Sequence, residues 1–381
     1  MIISYFPASA GLGAAARLRR MEAFFSRRGW EVHVLCAPWS MDVEVASRLT
    51  KALNFAVNLP ILALMGLWRR ADVVFVTAPP VYVLFTAALI RALRRRAFVF
   101  EERDLLTCHP LLAGARLKTN PLLRWLEKRV LLGSDAVIAS TPLVAKSLKE
   151  SWPELEDHPR LRVVYSGFWR DDYEGVLGGP EPARSGPLTL VHTGWFYGTR
   201  SPVVLLEAVE LLLSRRPGLA RSELPTFRLL GPFLPKEDRA AFLEGTRQAG
   251  LQHLFRVEEL GPWDEALRAV RAADVALLVT HATGTETAIP AKMFEYIALG
   301  RPILALTDDP LVLEMMKQGN LGWRVPRNDV GALADLLGWM VDHPEAVRSM
   351  STGGLSLSRY DAQPQLERLE DVFHEVLAAR S

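Results

Sequence analysis

The length, composition and charge of the chain exclude several classes of protein. Of its 381 residues, 49% are hydrophobic and 23% are charged, which excludes an intrinsically disordered chain. The length exceeds one typical core and predicts two domains. A formal net charge of +2 lacks the excess of Lys and Arg that marks a dedicated nucleic-acid binder. With only Cys36 and Cys108 present, a disulfide framework is not expected, and the cytoplasm is the predicted compartment.

The first half of the chain alternates short apolar runs with longer amphipathic runs, the pattern of a parallel sheet covered by helices. The predicted strands are MIISYF, EVHVLCA, DVVFVTA, AFVFEE, DAVIAS and RVVYSG. The first of these lacks the charged region and long apolar run of a signal peptide. The pattern predicts an α/β, Rossmann-like N-terminal domain over residues 1–168.

One apolar segment of this domain, residues 52–68 (ALNFAVNLPILALMGLW), is at the short limit for a membrane span. Because it contains two asparagines and a central proline, we predict a buried or interfacial helix. Arg69 and Arg70 follow it, and arginines 94–96 come later. Basic residues beside an apolar helix favour peripheral attachment to an anionic membrane surface, and a solvated helix face is the alternative.

A polar segment rich in glycine and proline, DDYEGVLGGPEPARSGP, predicts a linker over residues 169–187. Strands and helices then alternate again from LTLVHTG to PILALT, which predicts a second Rossmann-like domain over 188–355. A last helix within 356–381 is expected to pack on the N-terminal domain. Two such domains would face each other across a cleft at the carboxyl ends of their sheets, where ligands bind in these folds.

Two glycines, Gly11 and Gly13, precede the first predicted helix. A helix N-terminus offers free N–H groups, and glycine allows a phosphate to approach the backbone closely. The sequence GLGAAA also fits the fingerprint of a dinucleotide-binding dehydrogenase, which needs an acidic residue at the end of the second strand. That strand ends in LCAPWS, so the dehydrogenase interpretation is disfavoured.

The second half carries a more specific pattern. HTGWFYGTRSP places Gly194 at a strand end and Arg200 in the following loop, an arrangement that suits a diphosphate. ETAIPAKMFEYIALG places Lys292 near a helix start, where it can bind an anion, and Glu295 where it can accept hydrogen bonds from ribose hydroxyls. A capped helix with both side chains solvated is the alternative. This segment adds four donor-site candidates: Glu286, Thr287, Ile289 and Pro290. No spacing of His, Cys, Asp and Glu predicts a metal site.

Together these blocks resemble glycosyltransferase family 4, particularly its branch for bacterial surface polysaccharides and lipid-linked sugars. The matching blocks include FVFEERDL, HTGWFYGTRSP and IPAKMFEYIALGRPILAL. The resemblance implies the GT-B fold, in which two Rossmann-like domains face each other across a cleft. It also implies retaining transfer from a nucleoside-diphosphate sugar, with UDP or GDP, to a glycan, lipid-linked or small-molecule acceptor. No metal or other cofactor is implied.

The resemblance also assigns residues by position. Gly13 approaches the donor phosphate, Gly194 and Arg200 hold the diphosphate, and Glu295 holds the ribose as the second Glu of an E-x7-E signature. Thr287 stands where the first Glu of that signature is expected, so the contacts to the donor sugar differ from the family pattern. Backbone N–H groups near the start of the following helix are expected to replace part of them.

Asp104, in EERDLL, aligns with an aspartate that faces the cleft in the family and lies beside the reacting sugar or acceptor. A helix N-cap is the alternative role for Asp104. Arg200 and Lys292 are expected to stabilise the charge of the leaving diphosphate. Two other functions stay open from the sequence: a nucleotide-sugar epimerase of the same fold, and a non-catalytic module that binds sugar nucleotides.

Overall fold

The computed structural model describes residues 1–5, 13–38, 48–78, 80–81, 83–93, 96–107, 120–169, 171–281, 289–350 and 360–380. The chain divides into two compact units, residues 1–168 with 358–381, and residues 169–357. Each unit contains a six-stranded sheet whose strands are all parallel. The predicted α/β class with two parallel-sheet domains is confirmed.

The central strands of the first unit are buried, as apolar runs in a parallel sheet are, whereas its two edge strands are partly exposed. The strands of this unit are β1 (Ile2–Ile3), β2 (Val34–Leu35), β3 (Val73–Ala78), β4 (Ala97–Glu102), β5 (Ala136–Ala139) and β6 (Leu161–Val163). Their spatial order is β2-β1-β3-β4-β5-β6. The helices between them are α1 (Gly13–Arg27), α2 (Arg48–Trp68), α3 (Val83–Leu93), α4 (Pro121–Gly133) and α5 (Pro142–Ser151).

The second unit repeats this construction with eight strands. They are β7 (Thr189–Thr193), β8 (Phe196–Tyr197), β9 (Thr226–Leu230), β10 (Phe233–Leu234), β11 (Phe255–Glu258), β12 (Val275–Val279), β13 (Ile303–Leu306) and β14 (Gly322–Val325). The main sheet has the order β11-β9-β7-β12-β13-β14, and β8 pairs with β10 separately. The chain order therefore reverses between β7 and β12, a switch point at which ligands bind in open α/β sheets.

Nine further α-helices belong to the described part of the chain. They are α6 (Asp171–Leu177), α7 (Val203–Arg215), α8 (Lys236–Gln248), α9 (Trp263–Ala272), α10 (Ala291–Ala298), α11 (Pro310–Gly319), α12 (Val330–Asp342), α13 (Pro344–Ser349) and α14 (Ala362–Ala378).

Helix α6 lies inside the segment 169–187, which the composition predicts to be a linker. Tyr173 and Val176, three positions apart on this helix, are both buried. Arg271 of α9 donates hydrogen bonds to the carbonyl oxygens of Val176 and Gly179. Because this segment is rich in acidic residues and glycine, its sequence does not predict α6. This short helix buries one face against the rest of the second unit.

Helix α14 packs on the first unit, although the second unit separates the two in sequence. The indole of Trp30 donates to Glu370 at 2.8 Å. The ring of Phe373 lies 5.4 Å from Phe25 and 5.7 Å from Phe75, measured between centroids. These contacts anchor the helix against both α1 and the sheet.

Helix α2 spans the apolar segment 52–68 and has two different faces. The face toward the unit buries Leu59 and Leu62 together with Asn58, whose amide donates to Asn54 at 2.8 Å. The opposite face exposes apolar side chains, among them Trp68, which is 92% exposed. Among the described residues, no helix combines the length and the hydropathy needed to cross a membrane.

Candidate functional site

Gly194 lies at the carboxyl end of β7, beside the switch point of the second sheet. Its φ of +114° lies in the region that favours glycine. A Cβ atom at this position would lie 2.4 Å from the Nζ atom of Lys292. The absence of a side chain at Gly194 is therefore what allows the Lys292 ammonium group to reach the end of β7.

Helix α10 is held against β7 by a buried tyrosine. The hydroxyl of Tyr296 accepts a hydrogen bond from the Thr193 amide at 3.3 Å and donates to the Leu277 carbonyl at 3.3 Å. This anchor places Lys292, in the first turn of α10, at the strand end. Pro290 precedes the helix, and its side chain forms no capping hydrogen bond. The first N–H groups of α10 point outward in the direction that binds anions.

His192, inside β7, is the immediate neighbour of Lys292. Its Nδ1 lies 3.0 Å from the Leu277 carbonyl, and its Nε2 lies 3.4 Å from Lys292 Nζ. Because a carbonyl oxygen only accepts, Nδ1 carries the hydrogen, and Nε2 accepts from the ammonium group. Burial, followed by the charge of Lys292, lowers the pKa of His192 well below its usual value. The imidazole is therefore neutral and positions the lysine without adding charge.

Arg200 brings a second cation to this strand end, from the loop between β8 and α7. Its guanidinium lies 5.2 Å from the centroid of the Tyr197 ring, and its Nε is buried without a hydrogen-bond partner. Arg327, from the loop after β14, donates to the Thr199 carbonyl at 2.6 Å, and its Nε is buried in the same way. Among the described residues, no carboxylate forms an ion pair with either arginine.

The positive charges at this strand end lower the pKa values of Lys292 and His281. Burial, and then the charge of Arg200, lower the pKa of Lys292 to about 7. Burial lowers the pKa of His281 to about 4, with further contributions from Arg200, Arg327 and Lys292. We call Arg200, Lys292 and Arg327 the cation cluster. An anion bound among these groups would relieve their mutual repulsion, so the arrangement favours a phosphorylated ligand.

Glu295 lies one turn after Lys292 on α10. The indole N–H of Trp263, the first residue of α9, donates to Oε1 of Glu295 at 3.0 Å. Tyr173 of α6 packs on the Trp263 ring, with 5.7 Å between centroids. Burial raises the pKa of Glu295, while Trp263 and Lys292 act in the opposite direction. One carboxylate oxygen is thus held by Trp263, and Oε2 can accept hydrogen bonds from a ligand.

The carboxyl end of the first sheet has a different electrostatic arrangement. Arg17 of α1 binds the carboxylate of Glu101 through two hydrogen bonds, of 2.8 and 2.6 Å. Thr77 also donates to Glu101, at 2.6 Å. Burial alone would raise the pKa of Glu101, but Arg17 holds it below its usual value. The charge of Arg17 is therefore compensated within the protein.

The neighbouring Glu102 is buried against a second carboxyl group. Burial, followed by the charge of Glu127, raises the pKa of Glu102 well above its usual value. Its Oε1 accepts from the Leu106 amide at 3.0 Å, and Glu127 accepts from Thr107. The Glu102 carboxyl therefore favours its protonated form more than a solvent-exposed glutamate does, and the pair fixes the turn that follows β4.

The other candidates are distributed over this framework. Asp104 is half-buried in the bend after β4, and the described residues through Thr107 form no helix that it could cap. Gly13 is the first residue of α1, and Ile289 precedes α10. Gly11, Glu286 and Thr287 lie outside the described residues.

Sequence reasoning did not identify Trp263 or Arg327 as site residues. Trp263 is 32 positions from Glu295, and Arg327 is 128 positions from Thr199. Only the sheet order brings these pairs together. Two signals were available in the sequence. Trp263 starts a helix after a Gly-Pro turn, and Arg327 lies just after a strand end.

Comparisons with known proteins agree with this picture. The sequence model of the family described as Glycosyltransferase Family 4 matches residues 12–168. A UDP-N-acetylglucosamine–N-acetylmuramyl-(pentapeptide) pyrophosphoryl-undecaprenol N-acetylglucosamine transferase of Verminephrobacter eiseniae is 26% identical over 358 residues, which cover 86% of this chain and 84% of that protein. The probable glycosyltransferase WbjE of Pseudomonas aeruginosa is 24% identical, with coverage of 76% and 70%.

Solved structures extend the likeness to both units. Sucrose-phosphate synthase from Thermosynechococcus elongatus has a TM-score of 0.71 at 15% identity and covers 99% of this chain and 98% of its own. HepE of Anabaena, in complex with UDP and glucose, has a TM-score of 0.65 at 13% identity, with 98% of each chain covered. These structures show the GT-B fold. The likeness to glycosyltransferase family 4 thus covers residues 12–168, and the chain is a nucleotide-sugar-dependent glycosyltransferase.

Proposed function

We propose that this enzyme transfers a sugar, with retention of anomeric configuration, from a UDP- or GDP-sugar to a hydroxyl group of a lipid-linked or other glycan acceptor. The observation that carries the proposal is the cation cluster at the β7/β12 switch point. Arg200 and Lys292 are half-buried there, and among the described residues neither is neutralised by an ion pair. A diphosphate supplies the negative charge that this arrangement lacks.

The donor is held by groups on both sides of the switch point. Arg200 and Lys292 bind the diphosphate, and Gly194 leaves room for it. The N–H groups at the start of α10, from Ile289 onward, add hydrogen bonds, although Pro290 itself has none to donate. Oε2 of Glu295 accepts from the ribose hydroxyls. We also assign donor contacts to Gly11, Gly13, Glu286 and Thr287, the remaining candidates from the sequence.

The reaction requires charge stabilisation more than covalent help from the protein. The bond between the anomeric carbon and the diphosphate oxygen breaks, and its electron pair leaves with the diphosphate. The acceptor oxygen bonds to the same carbon from the same face, and its proton passes to the departing phosphate. Arg200 and Lys292 stabilise the leaving group, and Asp104 orients the acceptor hydroxyl. These cations perform the neutralisation that a metal provides in other transferases, so transfer is expected to persist with a chelator.

Replacing Arg200 with alanine tests the donor site. Loss of a charge-assisted contact costs roughly 1.5–3 kcal/mol, which corresponds to about a 10- to 150-fold weaker Kd for UDP or GDP. Isothermal titration calorimetry with excess EDTA measures this change. Arg256→Ala, which removes an exposed arginine on β11, is the matched control and should bind like the wild type. Equal affinity of the Arg200 variant and the wild type would refute the assignment.

The acceptor side favours a membrane location. The relative from Verminephrobacter eiseniae acts, by its name, on a pyrophosphoryl-undecaprenol substrate. Helix α2 exposes apolar side chains and is followed by Arg69 and Arg70, both exposed. We expect peripheral binding at the cytoplasmic face, seen as co-sedimentation with phosphatidylglycerol vesicles at low salt and release at high salt. Failure to sediment at low salt would argue for an acceptor in solution.

A further inference from the structure

The exposed apolar side chains are concentrated on one part of the molecule. Among the described residues, eleven of the seventeen large exposed hydrophobic side chains lie on α2, α3 and α4. We call this surface the apolar face: Leu53, Val57, Leu64, Met65, Trp68, Phe85, Leu89, Leu93, Leu122, Trp125 and Leu132. Isolated exposed apolar residues are ordinary, but a contiguous group of this size marks an interaction surface.

A groove of about 450 Å³ lies between α2 and α3 within the apolar face. The hydroxyl of Thr86 is the one polar side-chain group in its lining, and it donates to the Leu59 carbonyl at 3.2 Å. The groove therefore offers hydrocarbon contacts and little for a polar ligand to bind. The lining residues are Phe55, Ala56, Leu59, Pro60, Ala63, Phe85, Thr86 and Leu89.

One end of the groove reaches the carboxyl edge of the first sheet. The Phe55 ring lies 5.0 Å from the ring of Tyr5, two residues after the end of β1. Asp104, proposed to orient the acceptor hydroxyl, follows β4 at the same edge of the sheet. A chain in the groove would thus begin where the reacting end of the acceptor is proposed to lie.

The charged residues on helices α2, α3 and α4 indicate which kind of head group the bound molecule carries. Helices α2 and α3 contain no acidic residue, and the one acid of α4, Glu127, is buried. Among the described side chains, the basic residues of the three helices are Arg91, Arg124, Lys128 and Arg129, of which Lys128 pairs with Glu154. An apolar groove in a basic surface matches an anionic lipid.

We propose that the groove between α2 and α3 binds the hydrocarbon chain of the acceptor, a lipid with a phosphorylated head group. The inference rests on the proposed function, because it names the class of acceptor for the same site. It differs from membrane attachment, which needs only an apolar and basic surface, because a groove discriminates chains by length. Each buried methylene contributes about fourfold in affinity, so a short chain should bind much more weakly.

Two tryptophan substitutions separate the groove from the surface around it. Ala56→Trp fills the groove from an exposed position on α2, and Leu53→Trp adds a similar ring on the same helix outside it. The probe is farnesyl phosphate below its micelle concentration, titrated by calorimetry into each full-length protein. We expect Ala56→Trp to weaken binding at least tenfold and Leu53→Trp to stay within about twofold of the wild type. Leu89→Gln, which reduces the apolar lining without adding volume, should weaken binding less.

The same titrations contain the outcomes that would overturn the proposal. Geranyl phosphate should bind at least tenfold more weakly than farnesyl phosphate, and inorganic phosphate should not compete. Equal affinity for both chains, no binding of farnesyl phosphate by the wild type, or equal losses in the two tryptophan variants would each refute it. UDP binding should be unchanged in every variant, which shows that the protein is folded. Loss of farnesyl phosphate binding with vesicle sedimentation retained would separate the groove from membrane attachment.

Discussion

The carboxyl ends of the two sheets occupy equivalent places in equivalent folds. They differ in whether the charged side chains there are paired with side chains of opposite charge. In the first unit, Arg17 is neutralised by a bidentate contact with Glu101. In the second unit, Arg200 and Lys292 lie at a strand end without such a partner among the described residues. A compensated buried charge needs no further partner, whereas an uncompensated one favours a ligand of opposite sign. The comparison assigns a structural role to the first arrangement and a binding role to the second.

The largest expected effect concerns the compensated pair. Glu101→Gln leaves Arg17 partly buried without its counter-charge, and breaking a buried pair costs about 3–5 kcal/mol. Urea denaturation should show this loss of stability, while UDP affinity of the folded protein is unchanged. Glu156→Gln, which disrupts an exposed pair with Lys149, is the control and should cost less than about 1 kcal/mol. If Glu101→Gln had normal stability but impaired UDP binding, the structural role assigned to the Arg17–Glu101 pair would be wrong.

The next largest effect concerns the protonation of Lys292 in the second unit when a ligand binds. Burial and the charge of Arg200 lower the pKa of Lys292 to about 7, so the free enzyme holds this lysine mostly neutral at pH 8. A bound diphosphate favours the charged form, so binding at pH 8 should take up a proton and binding at pH 6 should take up almost none. Calorimetry in buffers of different ionisation enthalpy counts these protons.

Lys292→Met is the control for that measurement, because it removes the titrating group. Phosphate contributes little at pH 8, since its second pKa is about 6. Proton uptake that persists in Lys292→Met would show that another group titrates on binding.

The smallest effect concerns the hydrogen bond between Trp263 and Glu295. Trp263→Phe keeps the aromatic ring but removes the N–H group, and a hydrogen bond is worth about 0.5–1.5 kcal/mol. We expect a twofold to tenfold loss of the preference for UDP over 2′-deoxy-UDP, and a larger loss in Glu295→Ala. Trp339→Phe, on α12, should keep the preference. If both nucleotides lose affinity equally, Glu295 does not contact the ribose.

Much of the fold could be predicted from the sequence, because the local hydrophobic pattern agrees with the burial of the residues in the structure. The strands β5 and β12 are wholly buried, and each appears as an uninterrupted apolar run. Helix α6 was missed because it has only two buried side chains, Tyr173 and Val176, in a polar segment. Its stability comes from packing on α9, which no local pattern reveals.

The candidate site was accessible only where its residues lie close together along the chain. Lys292 and Glu295 share one helix, and their spacing placed them in neighbouring turns. The contact of His192 with Lys292 joins positions 100 apart. Such pairs depend on strand order, and spacing in the sequence contains no information about it. The need for glycine at position 194 likewise emerged only when the lysine was seen beside it.

Helix α14 has a consequence for biosynthesis. Residues 358–381 belong to the first unit, so the ribosome completes all of residues 169–357 before it makes α14. The second unit can therefore finish folding first, although domains usually mature from the N-terminus. Until α14 arrives, Phe25 and Phe75 lack the cover that Phe373 gives them. The first unit therefore exposes apolar surface until α14 is made, and premature termination would leave these rings uncovered and the fragment prone to aggregation.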